Sequence, residues 1–170
     1  MATITQIEID GFKAFPTNFK LDLGTGKNLL LYGENGSGKS SLYYALHALL
    51  QSVFKDDKGV KYFKPGDVNG EEFITNNEHL INIFRFDEAK ANTYTPYIRI
   101  TFNDGKIWRL DNGGLSSQNG GNESEIRMLN KDSVFINHSY ISRFHAARNS
   151  EEIDLWNVFY KDILPFHIPA

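Results

Sequence analysis

Apolar positions along the chain fall into alternating, continuous and helical spacings, and each predicts a different element. Ile4, Ile7 and Ile9 stand among Thr5, Gln6, Glu8 and Asp10, which predicts an N-terminal β-strand with a bulge where the alternation slips. Gly11 ends it, Phe12 to Pro16 forms a short aromatic bend, and Phe19-Lys20-Leu21-Asp22-Leu23 alternates as a second strand, antiparallel to the first. A turn at Gly24-Thr25-Gly26 leads into Asn28 to Tyr32, whose continuous apolar character predicts a central strand covered on both faces. Leu42, Ala45, Leu46, Leu49 and Leu50 then recur at helical spacing, so a helix from Lys39 lays one face on the sheet and stops at Lys55 to Gly59. Tyr97 to Phe102 and Lys106 to Leu110 alternate around Asn103-Asp104-Gly105, a hairpin signal that puts Arg99 and Arg109 on the solvated face. Asn112 to Ser124 is polar, glycine-rich and aperiodic, which predicts a mobile loop. Ser133 to His138 reads as a short buried strand, and Glu151 to Leu164 as a helix stopped by Pro165. From Val60 to Thr95 the pattern weakens: Lys61, Lys64, Pro65 and Gly66 mark an exposed loop, and Asn76 to Phe86 suits a short helix or a strand.

The candidate chemistry sits between the continuous apolar run and the first helix. Gly33-Glu34-Asn35-Gly36-Ser37-Gly38-Lys39-Ser40 fits G-x-x-x-x-G-K-[ST], the Walker A phosphate loop. Glycines at 33, 36 and 38 can take positive φ without a Cβ clash, so successive backbone N–H groups can turn inward as an anion-binding nest. The helix that follows aims unpaired N–H groups and the positive end of its dipole at the same spot. A polyphosphate such as that of ATP suits this cradle. Lys39 would reach the β/γ-phosphates, the Ser40 hydroxyl would ligate Mg²⁺, and Ser41 could bond the α-phosphate. The competing reading is a glycine-rich turn that merely joins strand to helix, and the flanking elements argue against it.

Composition narrows the rest. The chain has 170 residues, 41% apolar and 14% aromatic, enough for one core. Eighteen basic and 21 acidic side chains give a net charge of −3, so no global basic field advertises nucleic acid. Cysteine is absent, which removes disulfides, thiolate metal sites and a cysteine nucleophile. No stretch approaches 18 apolar residues, and the N-terminus lacks a basic segment followed by an apolar one; a soluble, cytoplasmic protein without membrane contact is expected. His47 has no second histidine or carboxylate at metal-site spacing and reads as a surface or edge residue.

The order of Ile4, Ile7, Ile9, Gly11, Phe12, Lys13 and Phe15, then a polar strand, then Leu30 to Leu42, resembles the N-terminal half of an ABC-type ATPase head of the RecF, SMC and SbcC kind. The variant Gly-Glu-Asn-Gly-Ser-Gly-Lys-Ser is more typical of that group than of GTPases or small-molecule kinases. The resemblance implies an α/β P-loop NTPase fold: the N-lobe of an ABC-ATPase head, with a central mixed sheet, an antiparallel β-subdomain and flanking helices. It implies nucleotide contacts at Lys13, Gly33, Glu34, Asn35, Gly36, Ser37, Gly38, Lys39, Ser40 and Ser41, with ATP and Mg²⁺ as cofactors. In such heads a strand ends in a glutamine that helps hold Mg²⁺ and the attacking water. His138 aligns there, and an imidazole can hydrogen-bond a metal-bound water; a strand-end histidine capping backbone groups is the alternative.

Hydrolysis also needs a Mg²⁺-holding acid and a carboxylate that polarises water. Phe86-Asp87-Glu88 imitates the end of a Walker B strand, but Asn82 and Arg85 break its apolar run, and Leu115-Ser116-Ser117-Gln118 lacks the two glycines of an ABC signature. In the resembled group Walker B, signature and switch histidine follow in a C-terminal half. Residues 1–170 then form the N-terminal part of a head, an ATPase only when completed by the C-terminal half or a partner. The resemblance further implies ATP-dependent dimerisation with a second head and a role in DNA repair, chromosome maintenance or anti-phage defence, with DNA and a nuclease subunit as partners. Two other readings stay open. One is a self-contained P-loop kinase or GTPase, although Asn130-Lys131-Asp132-Ser133 misses the guanine-reading Asn-Lys-x-Asp by one position. The other is a non-hydrolysing, nucleotide-dependent interaction module.

Overall fold

In a computed structural model, residues 3–24, 29–63 and 80–136 are described. The expectations at His138 and for the helix over 151–164 lie outside them. The chain divides into two compact units, Met1–Arg127 and Met128–Ala170.

The first unit is built on a five-stranded sheet in the order β2-β1-β3-β4-β5, antiparallel throughout. Its strands are β1 (Ile4–Asp10), β2 (Phe19–Asp22), β3 (Tyr97–Phe102), β4 (Ile107–Asp111) and β5 (Gly114–Gln118). The expected slip in β1 is present as a register shift between Ile4 and Gln6 against β3. Alternation sorts the side chains by face. Register aligns Ile7 with Ile100 and Ile9 with Ile98, then Ile98 with Leu110 and Ile100 with Trp108, so one face is a continuous apolar layer, all of it buried. The helix α1 (Lys39–Ser52) packs on β3, β4 and β5, burying Leu42, Ala45, Ala48, Leu49 and Leu50.

The opposite face is polar. Glu8 sits across from Arg99 and pairs with it, and Arg99 sits across from Arg109, which is held in turn by Asp111 at 2.7 Å and by the Tyr97 ring. Two like charges directly opposite would be destabilising, and an acid on each removes the conflict. Both arginines are thus on the wetter face, as expected, but engaged within the protein.

Three expectations need correction. Residues 29–32 form no strand, and they are exposed rather than buried, Leu30 at 93% and Tyr32 at 100%. No described strand lies beside them to satisfy their backbone, so the expected central mixed sheet is not seen among the described residues. Asn112 to Ser124 is not a loop throughout. Asp111 accepts from the Gly113 N–H at 2.9 Å, Gly114 turns at φ 91°, and β5 returns along β4 with Leu115 buried. An edge strand needs only one apolar side, and Ser116, Ser117 and Gln118 meet solvent. Helix α3 (Glu123–Lys131) then begins within the stretch expected to be mobile.

In the second unit, Ser133 to Ile136 form no strand; Val134 and Ile136 are exposed. The Asp132 N–H donates to Met128 O and the Ser133 hydroxyl to Leu129 O, which closes off the helical turn. Between α1 and β3, Val60–Tyr62 and Ile83–Arg85 are single 3-10 turns, and α2 is Phe86–Lys90. Asp87 and Glu88 occupy the first turn of α2, not a strand end, as the decoy reading of Phe86-Asp87-Glu88 required.

Candidate nucleotide-binding site

Two of the three loop glycines take the expected backbone conformation. Gly36 and Gly38 stand at φ 86° and 88°, where a side chain is strained, and the Ser37 N–H donates to Glu34 O at 3.2 Å to close a tight turn. Gly33, expected to share that conformation, is not at positive φ; a Cβ there would lie 2.8 Å from Ser37 Oγ, so a side chain at 33 requires the Ser37 hydroxyl to move. Around Gly36 nothing lies within 4 Å of an added Cβ, leaving that side open. Gly38 is also the residue before α1, and no side chain caps the helix. Uncapped first-turn amides beside a positive-φ glycine pair are the chemistry of an anion seat.

Lys39 lies over this loop. Its ammonium donates to Gly33 O and Glu34 O, both at 2.6 Å, and reaches Ser37 Oγ at 3.1 Å, which uses its three donors on the loop itself. Ser40 is exposed at the mouth, free of the sheet-facing side of α1. Ser41 is 9% exposed, and its hydroxyl accepts from the Ala14 N–H at 3.3 Å, so it faces the aromatic bend.

That bend forms the wall of the site. Phe12 and Phe15 exchange backbone bonds at 3.0 and 2.8 Å, the Phe15 ring comes within 3.2 Å of where a Cβ on Gly38 would be, and Lys13 sits at φ 45° with its ammonium 4.5 Å from the Tyr44 ring centre. The structure therefore brings Lys13 to the same end of α1 as Gly33, Glu34, Asn35, Gly36, Ser37, Gly38, Lys39, Ser40 and Ser41. Further along the helix, the ring of His47 stacks on Tyr43 at 6.2 Å. Burial, then the charge of Lys55, lowers its pKa below the usual imidazole value. Among the described residues no cluster of three or more histidine, aspartate or glutamate side chains could hold a metal; of the two expected metal ligands, Ser40 lies among them and His138 does not.

Periodicity gave no sign of what supports the bend. Asn82, buried and polar, bonds Gly11 and Lys13, and Arg85 bonds Pro16. The only available signal was negative: these residues interrupt an otherwise apolar run.

Fold and loop together define a nucleotide-binding module of mixed α/β type. A family model described as an AAA domain matches residues 6–160, and the chain belongs to that family. It is an AAA-type ATPase family typical of SMC, SbcC and RecF-like heads, in agreement with the resemblance carried by Ile4 to Phe15 and Leu30 to Leu42. No curated protein matches the chain. No helix among the described residues is long and apolar enough to cross a membrane.

Proposed function

We propose that the chain is the ATP-binding N-lobe of an SMC- or RecF-like ATPase head, completed by a C-terminal half that brings the catalytic acids. The uncapped start of α1 beside the Gly33–Gly38 cradle carries the reading. There the backbone amides and Lys39 would hold the phosphates of ATP, with Lys39 exchanging loop carbonyls for phosphate oxygens, and Ser40 would ligate Mg²⁺. Mg²⁺ would supply charge neutralisation at the phosphates when bound.

The exposure of Leu29–Tyr32 supports the second half of the reading. An exposed apolar run next to the phosphate loop suits pairing with strands supplied by the completing half. In this reading ATP joins two completed heads, hydrolysis releases them, and the head serves DNA repair, chromosome maintenance or anti-phage defence.

Titration with a fluorescent ATP analogue tests the core of the proposal. Lys39→Ala is expected to weaken binding by about 10- to 100-fold, the worth of a charge-assisted hydrogen-bond set. Unchanged affinity would end the assignment. With the C-terminal half present, ATP-dependent dimerisation and phosphate release are expected, and tight binding without turnover would favour the non-hydrolysing module.

A further inference from the structure

We infer that Asn82 is a positioning residue for the nucleotide, acting through Lys13; the inference rests on the proposed ATP site and extends it to a segment that no motif marks. Lys13 is a side-chain-bearing residue at φ 45°, in the left-handed region, and such a conformation persists only where neighbours over-determine it. Those neighbours are the residues from Leu80 to Arg85. The Lys13 N–H donates to Leu80 O at 2.8 Å, and the Lys13 carbonyl accepts from the Asn82 side-chain amide. The Asn82 N–H donates to Gly11 O at 2.8 Å, and Phe12 bridges Ile81. Both polar groups of Lys13's backbone are therefore fixed from one short segment.

Asn82 is built for this. It is 5% exposed, and each end of its side chain is used: the amide on Lys13 O, the oxygen on the Phe84 N–H at 2.9 Å, where it caps the 3-10 turn Ile83–Arg85. That cap sets the direction of Arg85, whose Nε donates to Pro16 O at 2.8 Å and whose guanidinium pairs with Glu88 at 2.7 Å. The bend is thereby held at Gly11, Lys13 and Pro16, and between these anchors its Ala14 and Phe15 touch Ser41 and Gly38 of the phosphate loop. Loss of the Asn82 amide frees the Lys13 carbonyl and relaxes the left-handed conformation, which shifts the Lys13 ammonium from its place over the Tyr44 ring on α1.

A double-mutant cycle reads this directly. In the full chain, ATP affinity and thermal stability are measured for wild type, Asn82→Asp, Lys13→Ala and the double variant. Asn82→Asp keeps the oxygen that caps the turn but loses the donor to Lys13 O. We expect Asn82→Asp to weaken ATP binding about fivefold in the wild-type background and not at all in Lys13→Ala, while its effect on melting temperature is the same in both. An equal loss of affinity in both backgrounds, or none in either, overturns the inference. Lys39→Ala run alongside separates the two levels: if it leaves affinity intact the ATP site itself is wrong, and if it abolishes binding while the cycle shows no coupling, only the role of Asn82 falls.

Discussion

Two apolar stretches of similar composition meet opposite fates in this molecule. Ile98, Ile100 and Phe102 are 0 to 3% exposed, whereas Leu29, Leu30, Leu31 and Tyr32 are 41 to 100% exposed. The difference is pairing. β3 is bonded on both sides, to β1 and β4, and has α1 over its apolar face. Among the described residues, 29–32 have no bonded neighbour strand. An apolar run states a need for a partner, and the fold decides whether that need is met within the chain.

The sharpest way to break the comparison is to cut into the satisfied stretch. Ile100→Ala removes a side chain packed between Ile7 and Trp108 and should lower unfolding free energy by about 2–5 kcal/mol, read by urea denaturation. A smaller effect comes from pH. Because the His47 imidazole is lowered from its usual 6.5, the unfolded chain binds the proton more readily. Stability is then full above that value and falls as pH drops through it, and His47→Gln should flatten this part of a melting-temperature profile. The smallest effect belongs to the unsatisfied stretch: Leu30→Asp should change the stability of this chain by under about 0.5 kcal/mol. The same variant should strongly weaken association with the proposed completing half, measured by titration calorimetry, and a large loss of stability in the isolated chain would mean that the run is packed after all.

Legibility in the sequence followed the same divide. β1 with its bulge, β2, α1 and the β3–β4 hairpin were readable because their periods and turn residues are local, Asp104-Gly105 above all. The phosphate loop was readable because its chemistry demands particular residues at particular places. The strands expected at 28–32 and 133–138 are absent over their described residues, 29–32 and 133–136, for a reason no window contains, namely whether another strand stands alongside. β5 was missed for the converse reason: an edge strand with one buried leucine is polar enough to pass for a loop. Asn82 and Arg85 were invisible because they act on backbone carbonyls distant in sequence, which asks nothing of the intervening pattern.

The place of β1 in the sheet also sets an order of assembly. Ile9 is bonded to Phe19 on one side and to Ile98 on the other. The first pairing closes a short hairpin, but the second waits until the ribosome has delivered β3, and closing so long a segment is entropically slow. The whole Gly33–Ser41 cradle lies inside that segment. A nascent chain therefore holds α1 and the loop before it without the β3–β5 surface on which that helix docks, so the docked arrangement of the cradle forms late in folding.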